Sequence, residues 1–195
     1  MTRYGTIAVA FFLLVGCAGS PSNKYYTLSV ESPCPALPSS SRLAGLELTT
    51  IRLPGVLDRP QLVVRVGLQT VEIREFDRWA EPLDQMATRV LAEDIAPCQS
   101  SLGSGNPKYF VSVSVDEFMP DISGEARLIG HWWVFQKGEE VSLQKRRSFS
   151  LSQKVDETPN AESVAAMSAL LGKLAFEIVD RLSEVENVPS AAPPA

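Results

Sequence analysis

The feature that constrains this chain most is an apolar run close to its start. Arg3 supplies a positive charge, residues 7–15 are apolar, and Gly16 and Cys17 follow. A basic end, a short apolar centre and a small residue at the cleavage point are the layout of a secretory signal peptide. The apolar centre is too short for a membrane-spanning helix, which needs about 20 residues. We therefore expect residues 1–16 to be removed and the remaining chain to fold outside the cytoplasm.

The four residues around the cleavage point, Leu14-Val15-Gly16-Cys17, resemble the lipobox of bacterial lipoproteins. The resemblance implies that the Cys17 thiol receives a diacylglyceryl group, that cleavage falls before Cys17, and that the new amine is acylated, with palmitate as a marker. Three acyl chains exceed the two signals that stable anchoring requires. The alternative is an ordinary signal peptide whose cleavage site includes a cysteine. We expect no cofactor besides the covalent lipid on Cys17.

Residues 17–24 combine this cysteine with small and polar residues, which predicts a flexible tether. Seven residues extend to at most about 23 Å, so the folded body must stay near its membrane. In lipoproteins with known sorting rules, an aspartate after the lipidated cysteine favours the inner membrane. By resemblance to them, Ala18 favours the outer membrane, with the protein on its periplasmic face.

Length and charge restrict the mature body. Cleavage leaves 179 of the 195 residues, which is enough for one domain with a core, expected at residues 25–185. The Pro/Ala-rich end, residues 186–195, is expected to be a disordered tail. The net charge of −5 becomes −6 without Arg3, and no basic stripe is present, so we expect no nucleic-acid partner.

Two cysteines remain after Cys17, namely Cys34 and Cys98. The periplasm permits disulfides, so these two residues are predicted to form a bridge, with two free thiols as the alternative. The bridge would close a long loop and stabilise the fold by roughly 4 kcal/mol on the chain-entropy model. Two cysteines and one histidine are fewer soft ligands than a zinc site normally uses, so no metal is expected.

Hydrophobic periodicity predicts the order strands, helix, strands, helix. Alternating residues predict strands at 24–30, 43–53, 61–66, 71–76, 109–115, 124–136 and 141–153. Apolar residues spaced by three and four predict a helix from Pro82 to Pro97 and a second over residues 161–185. This order predicts an α+β (mixed α/β) fold, a two-layer sandwich in which two main helices pack on one face of a largely antiparallel sheet.

Three segments carry a resemblance to a known family: residues 25–28 (YYTL), 57–65 (LDRPQLVVR) and 78–83 (RWAEPL). Together they resemble the PqiC-type lipoproteins, also called ABC-type transport auxiliary lipoproteins. The resemblance runs from Cys17 to about residue 183 and includes the pair Trp132-Trp133.

The resemblance implies a non-enzymatic, outer-membrane component of a transport system with an ABC transporter and an MCE-domain protein. Such systems move phospholipid or other apolar molecules between the two membranes and support envelope integrity. A homo-oligomeric ring would suit docking to an oligomeric tube. Two alternatives stay open: a carrier lipoprotein with its own apolar cavity for lipid, and a structural lipoprotein for envelope assembly.

Within these segments, Asp58 and Arg59 are candidates for a partner-docking loop. Alternatively, Asp58 caps a turn and pairs with Arg59 or Arg65. Trp79 is a candidate interface anchor, because Trp is favoured at interaction hot spots. The alternative is that Trp79 fills the edge of the core.

Tyr25 and Tyr26 lie next to the tether, and we expect one to pack inward while the other faces a partner or lipid headgroups. An enzyme fits the sequence least well. A histidine-based triad would have to use His131, the single histidine, and no Gly-x-Ser-x-Gly elbow is present. The alternative for His131 is a sheet residue with a local hydrogen bond.

Overall fold

The computed structural model describes residues 21–31, 46–99, 109–136, 146–155 and 160–186. The expected signal peptide, Cys17, Cys34 and residues 187–195 of the expected tail lie outside these ranges, as does the side chain of Cys98. Lipidation and the Cys34–Cys98 disulfide therefore stay predictions.

The described residues form seven strands and two long helices. The strands are β1 (Lys24–Tyr26), β2 (Leu46–Arg52), β3 (Gln61–Gly67), β4 (Thr70–Trp79), β5 (Tyr109–Pro120), β6 (Glu125–Gln136) and β7 (Arg147–Lys154). The helices are α1 (Leu83–Gln99) and α2 (Asn160–Glu186), and a short 3-10 turn covers Gly55–Leu57. Neither helix is long and apolar enough to cross a membrane, as judged over the residues that the structure describes.

The strands divide between two sheets, with the orders β1-β4-β3 and β2-β5-β6-β7. The consecutive pairs β3/β4, β5/β6 and β6/β7 are antiparallel, whereas β1 and β2 run parallel to β4 and β5. The predicted α+β sandwich with a largely antiparallel arrangement is confirmed. The division into two sheets is a feature that the alternation of residues did not indicate, because alternation assigns faces and not partners.

Both helices lie against the four-stranded sheet. Helix α2 packs on β5, β6 and β7, and α1 packs on α2 and β2. Every residue of the two apolar stripes is at most 5% exposed. The stripes are Leu83, Met86, Ala87, Val90, Leu91 and Ile95 on α1, and Val164, Met167, Leu171, Leu174, Ile178 and Leu182 on α2.

Helix α1 differs from the prediction at its end, since it continues through Pro97 to Gln99. A proline removes one backbone donor and disturbs the preceding turn. Within the last turn that loss affects a single hydrogen bond, so the helix continues to Gln99.

The first strand is also shorter than predicted, ending at Tyr26 rather than at residue 30. The backbone N–H of Leu28 donates to the Met86 sulfur at 3.2 Å, and that of Ser29 donates to Ser168 Oγ at 3.1 Å. The chain therefore leaves the sheet after Tyr26 and runs along side chains of both helices.

Candidate docking groove

A groove of about 720 Å³ opens where the end of β2, the chain between β2 and β3, and the start of α1 meet. Its lining comes from residues 50–53, 55, 57–60 and 79–84. We call this surface the docking groove. It includes parts of two segments that carry the family resemblance, residues 57–65 and 78–83.

The floor of the docking groove is apolar and belongs to the core. Leu57, Trp79 and Leu83 line it and are buried, with Trp79 only 5% exposed. The backbone N–H of Trp79 donates to the carbonyl of Pro60 at 2.7 Å, which fixes the end of β4 beside the start of β3. Trp79 thus fills the edge of the core and also lines the groove.

The loop with Asp58 and Arg59 is held by its own backbone. The N–H of Asp58 donates to the Gly55 carbonyl at 3.2 Å and closes the 3-10 turn. Arg59 Nε donates to the Val56 carbonyl at 2.8 Å, and Arg65 pairs with Glu117 at 3.0 Å. Asp58 therefore takes part in the turn through its backbone, while its carboxylate stands exposed on the groove wall.

Charged side chains that the sequence patterns did not single out complete the rim. Arg52 ends β2, and Glu81 and Asp84 flank the start of α1. Glu81 pairs with Arg89 at 3.3 Å. Glu81 lies inside the 78–83 segment, so the segment itself was a usable signal, whereas Arg52 and Asp84 meet the groove only through the tertiary fold.

The two tyrosines lie beside the docking groove and not in it. Because β1 runs parallel to the end of β4, Tyr26 is the neighbour of Trp79. The Tyr26 hydroxyl donates to Asp77 Oδ1 at 2.9 Å, and the pKa of Tyr26 is raised by burial and by this carboxylate. Tyr25 is exposed, so the expected division into one inward and one outward ring matches their burial.

His131 lies apart from the groove, on β6. Its Nδ1 is 3.3 Å from Asp116 Oδ2 on β5, which is a local contact within the sheet. The docking groove combines an apolar floor with a rim of both charge signs. Among the described residues, no group of three or more His, Cys, Asp or Glu side chains is placed to hold a metal ion.

Comparison with known proteins gives the family. The model of the ABC-type transport auxiliary lipoprotein component matches residues 26–179. This chain belongs to that family. The match covers the docking groove and both sheets, and it ties the chain to lipoproteins that serve ABC-type transport systems. A search of curated proteins finds no match.

Two solved structures share the fold. Protein XCC0632 from Xanthomonas campestris, of the family DUF330, is 18% identical with a TM-score of 0.68, and the match covers 86% of this chain and 100% of that one. The crystal structure of an uncharacterized protein is 20% identical with a TM-score of 0.65, covering 83% and 99% of the two chains. At these identities the likeness establishes the architecture alone.

Proposed function

We propose that this protein is a non-enzymatic auxiliary lipoprotein of an MCE/ABC-type system that moves phospholipid between the inner and outer membranes and supports envelope integrity. A lipid on Cys17 holds it at the periplasmic face of the outer membrane. Its body receives an MCE-domain protein that reaches across from the inner membrane. Membership of the auxiliary lipoprotein family supports the link to an ABC-type transporter and favours a role without catalysis.

One observation carries the proposal that the docking groove is the receiving surface. The segments 57–65 and 78–83 are separated in sequence, yet the Trp79 to Pro60 hydrogen bond joins them at one groove. Parts of two of the three segments that make this chain resemble its family, residues 57–60 and 79–83, therefore meet at one surface feature. Family-typical residues in an exposed loop point to binding more strongly than family-typical core residues do.

The shape and charge of the docking groove favour a segment of another protein as its occupant. A buried aromatic floor under a charged, exposed rim matches the anatomy of protein interfaces. Arg52, Arg59 and Glu81 on the rim offer partners to both charge signs of a docking segment. A phospholipid tail, by contrast, would meet charged groups along the rim.

The test is photo-crosslinking in cells with the full-length protein. A crosslinking residue at Arg59 is compared with one at Arg147, an exposed position at the start of β7 and outside the groove lining. We expect the Arg59 position, and not the Arg147 position, to capture the MCE-domain protein. Capture from both positions alike, or from neither, would contradict docking through the groove.

The anchor is tested separately. Radiolabelled palmitate should enter the wild-type protein and be absent from the Cys17→Ser variant, which should also leave the membrane fraction. A wild-type protein that takes up no label would contradict the lipid anchor and leave the groove result unaffected.

A further inference from the structure

Two turns at one end of the molecule present large aliphatic side chains to solvent. Leu68, in the turn between β3 and β4, is 97% exposed, and Ile122, just after β5, is 56% exposed. Single exposed apolar residues are ordinary on protein surfaces. Here the two turns are neighbours, so their side chains form one surface feature.

Arg65 on β3 joins the two turns. Its carbonyl accepts a hydrogen bond from the Ile122 N–H at 3.0 Å, and its Nη1 donates to the Leu68 carbonyl at 3.3 Å. Arg65 also forms a parallel bridge with Asp121. The positions of Leu68 and Ile122 relative to each other are therefore set by backbone and side-chain hydrogen bonds.

Strand β4 extends this apolar surface. Val71 lies opposite Arg65 and Ile73 lies opposite Val63, and both are exposed. Their exposure follows from the packing of the helices, which cover the four-stranded sheet and leave this part of the three-stranded sheet open. We call Leu68, Val71, Ile73 and Ile122 the aliphatic end.

The chemistry of the aliphatic end favours a lipid surface over a protein partner. Its four side chains are all branched aliphatics, and the turn Gly67–Thr70 carries no charge. Protein hot spots are instead enriched in Trp, Tyr and Arg. Binding to a bilayer interface depends on buried apolar area, which exposed aliphatic side chains supply.

The direction and reach of the tether point to the same end. Since β1 is parallel to β4, the beginning of β1 faces the end of the sheet where the β3–β4 turn lies. Strand β3 spans about 20 Å from Gln61 to Gly67, at about 3.3 Å per residue. The chain from Cys17 to Lys24 reaches at most about 23 Å. A tether that follows the direction of β1 therefore brings Cys17 level with the aliphatic end.

We propose that the aliphatic end is a second contact with the bilayer to which Cys17 is anchored. This inference rests on the lipid anchor proposed above. Asp58 to Pro60 and Trp79 of the docking groove lie at the opposite end of β3 and β4. Contact through the aliphatic end thus orients the body so that the groove opens away from the membrane, toward a partner arriving from the other side of the periplasm.

The test places a tryptophan at the aliphatic end of the full-length, lipidated protein in phosphatidylcholine vesicles with brominated acyl chains. Leu68→Trp is compared with Val56→Trp. Val56 is also exposed, and it lies in the turn before the start of β3, whereas Leu68 follows the end of β3. The wild-type protein gives the baseline emission, which comes from the buried Trp79 and Trp132 and the half-buried Trp133. We expect the emission added by Leu68→Trp to be lost in brominated vesicles but not in unbrominated ones, and that added by Val56→Trp to survive in both.

The outcomes separate this proposal from the one it rests on. If the protein takes up palmitate and stays on the vesicles, but both added tryptophans are quenched equally or not at all, the bilayer contact is wrong and the anchor stands. If the wild-type protein takes up no palmitate, the anchor is wrong and the second contact fails with it.

Discussion

Gly130 shows how a single residue permits the close approach of three strands. It lies on β6 between Val115 of β5 and Phe149 of β7. A Cβ at this position would collide with the Ser114 carbonyl and lie 2.9 Å from the Phe149 ring. Glycine therefore allows the Phe149 ring to cover the β6 backbone and reach the core.

Gly130→Ala should destabilise the protein by about 1–3 kcal/mol, because the added methyl group must displace backbone or a buried ring. Gly55→Ala is the matched control, since no heavy atom lies within 4 Å of its added Cβ. We expect the control to change stability by less than about 0.5 kcal/mol. Urea unfolding measures the stability of both variants. Equal midpoints would contradict the prediction, because they would mean that β5, β6 and β7 accommodate the added methyl group without strain.

Asp121 organises the turn that carries Ile122. Its Oδ1 accepts hydrogen bonds from the Ser123 N–H at 2.8 Å, the Ser123 hydroxyl at 2.6 Å and the Glu125 N–H at 3.0 Å. Burial acts to raise the pKa of Asp121, but these hydrogen bonds and Arg127 outweigh it and hold the pKa below its ordinary value of 3.8. The charged carboxylate therefore stabilises the folded turn.

Asp121→Ala should reduce stability by about 1–2 kcal/mol at neutral pH. A folded-state pKa below the unfolded value means that the stabilisation is complete above the ordinary value of 3.8 and is lost as the pH falls through the folded-state pKa. The gap between wild type and variant, measured by urea unfolding from pH 7 downward, should narrow only below about pH 4. A gap that is independent of pH would contradict a role for the charge.

At the scale of elements, hydrophobic periodicity predicted the positions of helices and strands, because these depend on residues close together in the sequence. The apolar stripes located both helices, and the alternating residues located strands β3 and β4. Pairing between distant strands left no local trace. Strand β2 pairs with β5 although β3, β4 and α1 lie between them in the sequence. The pairing is parallel, and its register starts with Leu46 opposite Tyr109. Such pairings depend on tertiary packing, which periodicity does not encode.

The segment after β1 makes the same point for backbone hydrogen bonds. Its alternation predicted a strand to Val30, but the acceptors for Leu28 and Ser29 are side chains of Met86 and Ser168 on the two helices. No pattern within residues 27–31 identifies acceptors so far along the chain. The segment is nonetheless part of the body, because Leu28 is buried against α1.

Leu28→Ala should therefore destabilise the protein by about 2–4 kcal/mol, the range for removing a buried leucine side chain. Val30→Ala is the control, because Val30 is exposed in the same segment. We expect it to change stability by less than about 0.5 kcal/mol. Thermal or urea unfolding distinguishes the two variants. Equal effects would mean that the segment is only loosely held, and that the lipid tether ends nearer residue 32 than Lys24.

At the scale of the whole molecule, the sequence singled out five docking candidates but no groove, and Tyr25 and Tyr26 lie outside the groove lining. Asp58, Arg59 and Trp79 were singled out, and the structure brings all three to one groove. Their convergence follows from the antiparallel β3–β4 pairing, which brings Trp79 beside Pro60. Arg52 and Asp84 were missed because they reach the groove from β2 and α1, which belong to the other sheet and its helix layer.

The two sheets are joined beside the aliphatic end by a bidentate ion pair. Arg65 Nη2 lies 3.0 Å from Glu117 Oε2, and Arg65 Nε lies 3.1 Å from Glu117 Oε1. Arg65 belongs to the three-stranded sheet and Glu117 to the four-stranded sheet. Their side chains are only 24% and 16% exposed, which limits screening by solvent. The pair on β4 formed by Glu72 and Arg74 is more exposed, at 47% and 37%, and stays within one strand.

A double-mutant cycle on each pair measures the coupling energy between its two side chains. Of these two, only the Arg65–Glu117 pair joins the two sheets, so the other pair serves as the control. For Arg65→Met and Glu117→Gln we expect a coupling energy of about 1–2 kcal/mol, because a bidentate, partly buried pair retains more of its attraction. For Arg74→Met and Glu72→Gln we expect less than about 0.5 kcal/mol. Arg65→Met also removes the hydrogen bond to the Leu68 carbonyl, so in the vesicle experiment it should weaken the quenching of Leu68→Trp. Equal coupling in both cycles would mean that the Arg65–Glu117 pair adds no specific attraction between the two sheets, which would then be held by the Arg65–Asp121 bridge and apolar packing.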